Sequence, residues 1–248
     1  MDHHEISDIY LSRHVARNGR LLERSNDPRL RYIGQYIPQD KKSVILDAGC
    51  GDGKLAMYWH QRGYEKIQGI DLFDELNTWN TFNYRKASIS QTGLADNSVD
   101  FIYCLGVILY LDDPAEGFAE LYRILKPGGK VVFSAHTVHS PFTWERRLNR
   151  KFGGEIHLRD VKFKSADTYV TQSRRVGFRV LDMDGYELLW LPRLLRRVYR
   201  KLRQSIFGSG KRDGSAPEPW RKRPSWLKWL YATSAYHMLI ALEKPEKT

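Results

Sequence analysis

The chain has only two cysteines, Cys50 and Cys104, and no Cys-x-x-Cys pair. Two separated thiols exclude a disulfide scaffold and leave a structural zinc site nothing to build on. No apolar run approaches the roughly 20 residues that a membrane-spanning helix needs. The opening Met1-Asp2-His3-His4-Glu5 lacks the basic and then apolar layout of a secretory signal, so the expected location is cytoplasmic. No internal repeat of solenoid type is visible. Acids are scarce in one place above all. Between Trp190 and Lys228 twelve Lys or Arg face two acids, Asp213 and Glu218, a net of +10 against +11 for all 248 residues. The basicity therefore belongs to one segment, which suits a local surface for lipid phosphates, nucleic acid or an acidic substrate.

What is present is a globular composition, 42 % hydrophobic, with strands and helices in alternation. Residues 1–40 read as an N-terminal helical extension or lid, with Asp27-Pro28 starting a helix that runs to Tyr36. Residues 41–248 read as the main domain. Strands are expected at Ser43–Asp47, Lys66–Asp71, Arg85–Ser88, Val99–Leu105 and Lys130–Ala135, the last entered through a sharp turn at Lys126-Pro127-Gly128-Gly129. Helices are expected at Lys54–Gln61, Asp74–Phe82 and Ala115–Leu125. A helix at Ser165–Val176, a strand at Gly177–Met183 and a last β-rich run at Tyr236–Glu243 follow. Such alternation indicates right-handed βαβ units and a doubly wound α/β sheet.

The most informative stretch is Asp47-Ala48-Gly49-Cys50-Gly51-Asp52-Gly53. Its glycines let the backbone turn between strand and helix and approach a ligand without Cβ interference. The helix start beyond them offers amide donors and a partial positive charge. A dinucleotide pattern begun at Gly49 would put its third small residue at position 54, where Lys54 stands. A P-loop fails too, because no Gly-Lys followed by Ser or Thr closes the glycines. Asp71 ends the second strand, where an acid can accept hydrogen bonds from a ribose diol.

Together Asp47–Gly53, Gly69-Ile70-Asp71, Asp96-Asn97-Ser98-Val99-Asp100 and Leu125–Gly129 resemble class I S-adenosylmethionine-dependent methyltransferases, over residues 43–140. The likeness is greatest to the branch that modifies quinones, sterols and sugars. It implies a Rossmann-like sheet ordered 3-2-1-4-5-7-6 with the seventh strand antiparallel, and S-adenosyl-L-methionine as cofactor. By that resemblance Asp47 and the backbone around Gly49 and Gly51 hold the methionine end. Asp71 takes the ribose hydroxyls and Leu72 packs beside the adenine. Ser88 stands where the family usually has an acid for the adenine amino group, and as a neutral acceptor it binds more weakly. Ile89 covers an adenine face, and Cys104 lies beside the cofactor through its backbone.

Methyl transfer from a sulfonium is an in-line displacement whose rate comes largely from positioning, with a base needed only if the acceptor must lose a proton. His136 is the first choice for that base, with Tyr110, after Gly106-Val107-Ile108-Leu109, near the acceptor. His139, His157, His14 and Tyr10 are further candidates. In the basic insertion, residues 188–232, Leu191, Leu195, Val198, Leu202 and Ile206 share one helical face among arginines, and Trp220, Trp226 and Trp229 follow. That pattern fits a buried helical cap, an anionic membrane surface or RNA. The expected function is methyl transfer to a small-molecule or lipid-linked acceptor of quinone, sugar or glycolipid type. An RNA methyltransferase and a non-catalytic cofactor-binding protein are the alternatives.

Overall fold

The apolar runs read above become the middle of one sheet, because strands covered on both faces need no polar side. The computed structural model describes residues 27–72, 83–140, 143, 161–186, 224–235 and 237–246. Seven strands are hydrogen-bonded in the order β3-β2-β1-β4-β5-β7-β6. They are β1 (Val44–Ala48), β2 (Lys66–Asp71), β3 (Asn83–Lys86), β4 (Val99–Leu105), β5 (Leu125–His136), β6 (Arg179–Tyr186) and β7 (His237–Glu243). The first five run parallel, and β7 is antiparallel to both β5 and β6. The helices are α1 (Pro28–Ile33), α2 (Lys54–His60), α3 (Pro114–Ile124), α4 (Ala166–Val176) and α5 (Ser225–Ser234).

Local chemistry sets most of these limits. Pro114 opens α3 at a position where its missing N–H costs nothing, and Asp113 caps it through Ala115 N. Ser165 caps α4 through Thr168 N, and Gly177 ends α4 in the left-handed conformation. Three expected limits move. The third strand is Asn83–Lys86 rather than Arg85–Ser88, because its pairing with β2 begins at Gln68 opposite Asn83, which leaves Ser88 in the following turn. The fifth strand starts at Leu125, already paired with Val99, and the Lys126–Gly129 turn is an irregularity inside it. The first helix stops at Ile33, short of Tyr36. The expected helices at 74–82 and 191–206, and residues 1–26, lie outside the described residues.

The sheet has an apolar layer on each face. On one, Phe118, Leu121 and Ile124 of α3 and Tyr169 of α4 meet Phe133, Ile102 and Leu46. On the other, Leu30, Tyr32, Ile33 and Ile37 pack with Ile45, Trp59, Tyr103 and Val132. Residues 30–37, read above as part of an extension or lid, are thus core: Ile33 is fully buried.

A polar brace holds the turn before β4. Glu120 on α3 accepts from Thr92 N (2.8 Å) and Thr92 Oγ1 (2.6 Å), and receives Arg123 Nε at 2.8 Å. Arg123 also reaches Asp96 and the Leu94 carbonyl. The hydrogen bonds from Arg123, with those from Thr92, hold the Glu120 carboxyl down to about 2, against burial. A carboxyl lowered on folding stabilises the fold above its ordinary value and loses that contribution as pH falls toward the folded value. Glu120→Gln should therefore cost about 1 kcal/mol at pH 7, allowing for solvent screening at Arg123. Urea unfolding should show the gap between parent and variant closing as pH falls from the ordinary carboxylate range toward about 2; a pH-independent gap would sink the brace.

Candidate functional site

The carboxyl ends of β1, β2 and β4 converge on the glycine loop. Ile70 O at the end of β2 accepts from both Gly49 N (2.8 Å) and Cys50 N (2.9 Å). Asp71 continues the seam: Oδ2 accepts from Gly51 N at 2.8 Å and Oδ1 from Leu72 N at 2.7 Å. Three successive loop amides are therefore committed to β2. Those N–H groups are already bonded, and what this backbone can turn to a ligand is its carbonyls and its bare glycine faces. The helix start adds little. Gly53 occupies its cap position at φ 73° with no side-chain cap bond, and Lys54 N is taken by Asp52.

What the loop offers is space and charge. A Cβ on Gly51, at φ +51°, would meet nothing within 4 Å, and the same holds for Gly106 at φ +73°, just after β4. These two open backbone faces stand at the ends of neighbouring strands. Gly49 differs: its Cβ would lie 2.0 Å from Val107 Cγ2. Its missing side chain serves the packing of the loop after β4 rather than a ligand.

Asp47 lies beneath the loop, 1 % exposed, and its Oδ2 has no hydrogen-bond partner. Burial pushes its carboxyl well above the usual carboxylate range, and the charges of Asp71 and Asp52 push the same way. The Tyr103 hydroxyl, also buried, acts the other way and favours the carboxylate. Lys54 pairs with Asp52 at 2.5 Å. A buried acid with one oxygen unpartnered, beside two more acids, favours a ligand that brings a positive charge. The Cys50 thiol is pushed up by burial and by Asp47, and that of Cys104 to about 12 by burial, so neither is a nucleophile at neutral pH.

On the β2–β3 side, Leu72 is 50 % exposed, an apolar surface next to Asp71. Ser88 turns its hydroxyl inward: Oγ lies 2.9 Å from Ser90 Oγ and accepts from Ser90 N at 3.2 Å. Ile89 is 4 % exposed and belongs to the core layer under α3, so its side chain does not present a face to a ligand. Cys104 is likewise a core side chain.

The two residues expected to serve chemistry sit at the same carboxyl edge. Tyr110 ends a 3-10 turn (Ile108–Tyr110) and is half-buried against the core. His136 ends β5 opposite His237 of β7, which stands opposite Tyr186 of β6. The rings follow that register: His136 to His237 is 4.6 Å between centroids, and His237 stacks on Tyr186 at 4.5 Å, nearly parallel at 9°. Phe163 lies 6.2 Å from His136. His139 is exposed, and His14, Tyr10 and His157 lie outside the described residues. Tyr103, Gly106 and His237 were not foreseen as site residues. Only Gly106 carried a signal, a glycine directly after a strong strand.

A family described as a methyltransferase domain matches residues 46–133. Malonyl-acyl-carrier-protein O-methyltransferase of Pectobacterium atrosepticum is 31 % identical over 118 residues, 46 % of this chain and 45 % of that protein. Ubiquinone biosynthesis O-methyltransferase of Alkalilimnicola ehrlichii is 32 % identical over 119 residues, 44 % of this chain and 48 % of the relative. The chain thus spans less than half the length of these curated relatives. Among solved structures, the (4+2)-cyclase SpnF superposes with a TM-score of 0.58 at 16 % identity, over 88 % of this chain and 80 % of that one. At that identity the likeness shows the fold alone.

Two substitutions separate packing from openness in the loop. Gly49→Ala should destabilise the protein by about 2–4 kcal/mol, since Cβ collides with the stiff Val107 side chain at a positive φ. Gly51→Ala should cost only about 1 kcal/mol, the strain of its φ. Thermal melts giving equal losses would refute the distinction. Asp47→Asn concerns charge. An acid raised on folding costs stability once pH exceeds its ordinary value, so the folded state is favoured below that value and disfavoured above it. The Asn variant should therefore melt above the parent at pH 7 to 8. That advantage should vanish as pH falls through the ordinary carboxylate range, and its persistence in acid would show that Asp47 is not the buried acid described.

Proposed function

The chain carries a class I S-adenosylmethionine-dependent methyltransferase domain, and we propose that it transfers the cofactor's methyl group to an oxygen of a small-molecule or lipid-linked acceptor. The observation that carries this reading is the unpartnered Oδ2 of buried Asp47, at the end of the strand that leads into the open glycine loop. S-Adenosylmethionine supplies a methyl group on a sulfonium, already activated for displacement. Its amino group answers the need of Asp47 for a positive partner. Asp71 accepts from Gly51 N and Leu72 N, which fixes its carboxylate at the end of β2, where it would meet the ribose hydroxyls. Exposed Leu72 would lie against the adenine. Ser88 would contribute through its own turn, its hydroxyl being shared with Ser90.

Two relatives named for O-methylation, of malonyl-acyl-carrier protein and in ubiquinone biosynthesis, support an oxygen acceptor. A quinone, sugar or glycolipid reached from the cytoplasm at a membrane surface fits this reading. His136, at the end of β5 beside the ends of β4 and β7, would take the acceptor's proton, with Tyr110 orienting the acceptor.

Calorimetry should show binding of S-adenosylmethionine and its demethylated product and none of NAD. Gly51→Val should abolish that binding in a folded protein, because the branched side chain fills the open face. Asp71→Ala should weaken it by about 1.5–3 kcal/mol. NAD binding with no response to either sulfur compound would refute the reading at its root. An unchanged affinity in Asp71→Ala would remove the ribose assignment. Incubating the chain with methyl-labelled cofactor and a lipid extract, followed by mass spectrometry of the products, tests the transfer itself.

A further inference from the structure

Among the described residues, α5 is docked on one side. Lys228 Nζ reaches Asp182 on β6 at 2.7 Å, Ala232 is fully buried, and the Thr233 carbonyl accepts from Thr137 Oγ1 at 2.9 Å. Trp226, Trp229 and Leu230 follow the i, i+3, i+4 spacing of one helical face, and they are 67 %, 52 % and 38 % exposed. The other exposed large hydrophobic among the described residues is Leu72, at the cofactor rim. Two indoles and a leucine on adjacent turns form a patch rather than scattered surface apolars, and such patches mark interaction sites.

The sequence supplies the sign of the partner. Arg221-Lys222-Arg223 comes directly before Pro224 and Ser225, and no acid occurs between Glu218 and Glu243. These three cations stand three to five residues before Trp226 in the chain. Trp is suited to the lipid interface, where its apolar ring and polar N–H meet different media. No described helix is long and apolar enough to cross a membrane, which makes surface attachment the geometry available to α5.

We propose that the exposed face of α5 docks on an anionic lipid surface, with Trp226, Trp229 and Leu230 at the headgroup–acyl boundary and the adjoining cations attracting lipid phosphates. This deepens the membrane-surface part of the proposed function by naming the residues that touch lipid, and it stands on observations separate from the cofactor site. The attachment is reversible, with an apolar part insensitive to salt and an electrostatic part that salt screens.

The test is co-sedimentation of the full chain with phosphatidylcholine vesicles, with and without phosphatidylserine. The parent should pellet with the anionic vesicles, less so as salt rises, and stay in solution with the neutral ones. Lys222→Gln with Arg223→Gln should lower anionic binding about fivefold per charge at low salt. Trp226→Ala with Trp229→Ala should lower it by about tenfold or more, including at high salt. Brominated acyl chains should quench the parent's tryptophan fluorescence, a readout that needs no variant. S-Adenosylmethionine affinity should be unchanged in both variants, so loss of docking is distinguishable from failure of the methyltransferase reading. A parent that ignores anionic vesicles at low salt, or a double Trp variant that binds them as the parent does, overturns the proposal. Salt-sensitive RNA binding without vesicle binding overturns it in favour of a nucleic-acid partner.

Discussion

The seam between the glycine loop and the end of β2 is the constraint from which the rest of the site follows. Ile70 O and Asp71 Oδ2 between them take the amides of Gly49, Cys50 and Gly51. Committed amides cannot swing toward a ligand, so the loop has one conformation, and in it Gly51 turns a bare backbone face outward. Gly49 is locked from the other side by Val107, so the loop after β4 keeps its place relative to β1. Asp71 is thus a positioning residue as well as a candidate ribose partner. Its first effect on any ligand is to hold the cradle still.

Rigidity at the carboxyl edge is matched by polar anchoring at the opposite edge. Lys244, 7 % exposed, donates to Asn97 Oδ1 and to the carbonyls of Tyr122 and Leu125, each at 2.8 Å. One ammonium thereby ties the last strand's end to α3 and to the start of β5. There the buried polar group is satisfied. At the site, Asp47 leaves an oxygen unpartnered, and the cost is borne by the well-packed layers on both faces of the sheet. Satisfied polar groups away from a site and an unsatisfied one within it is the pattern expected when stability is given up for binding.

The parts of this arrangement that depend on local pattern were readable from the residues. The limits of β2 and β4 coincide with their apolar runs, and the strand order followed from the family resemblance. β3 was misplaced by two residues because Asn83–Lys86 has almost no apolar content, and only its register with Gln68–Asp71 defines it. Asp47, Gly51 and Asp71 were legible because each belongs to a motif. The commitment of the loop amides, the inward turn of Ile89 and the contact between Gly49 and Val107 were not, since each depends on how separate strands align. His237 was invisible for the same reason. It lies 101 residues after His136, and only the antiparallel pairing of β5 with β7 brings the rings together.

The acidic cradle and the exposed Trp face of α5 stand at different strands of the sheet. The cradle is acidic, with Asp47, Asp52 and Asp71 at the ends of β1 and β2, in a protein whose net charge is +11. Net charge therefore says nothing about what the cradle attracts; burial and the nearest partners decide it. The Trp face stands on α5 over β6 and β7, and β7 is three strands from β1. At about 4.8 Å per strand that is roughly 14 Å. The sheet thus gives one small domain two separate places of contact, an acidic cradle at β1 and β2 and an apolar face beside β6.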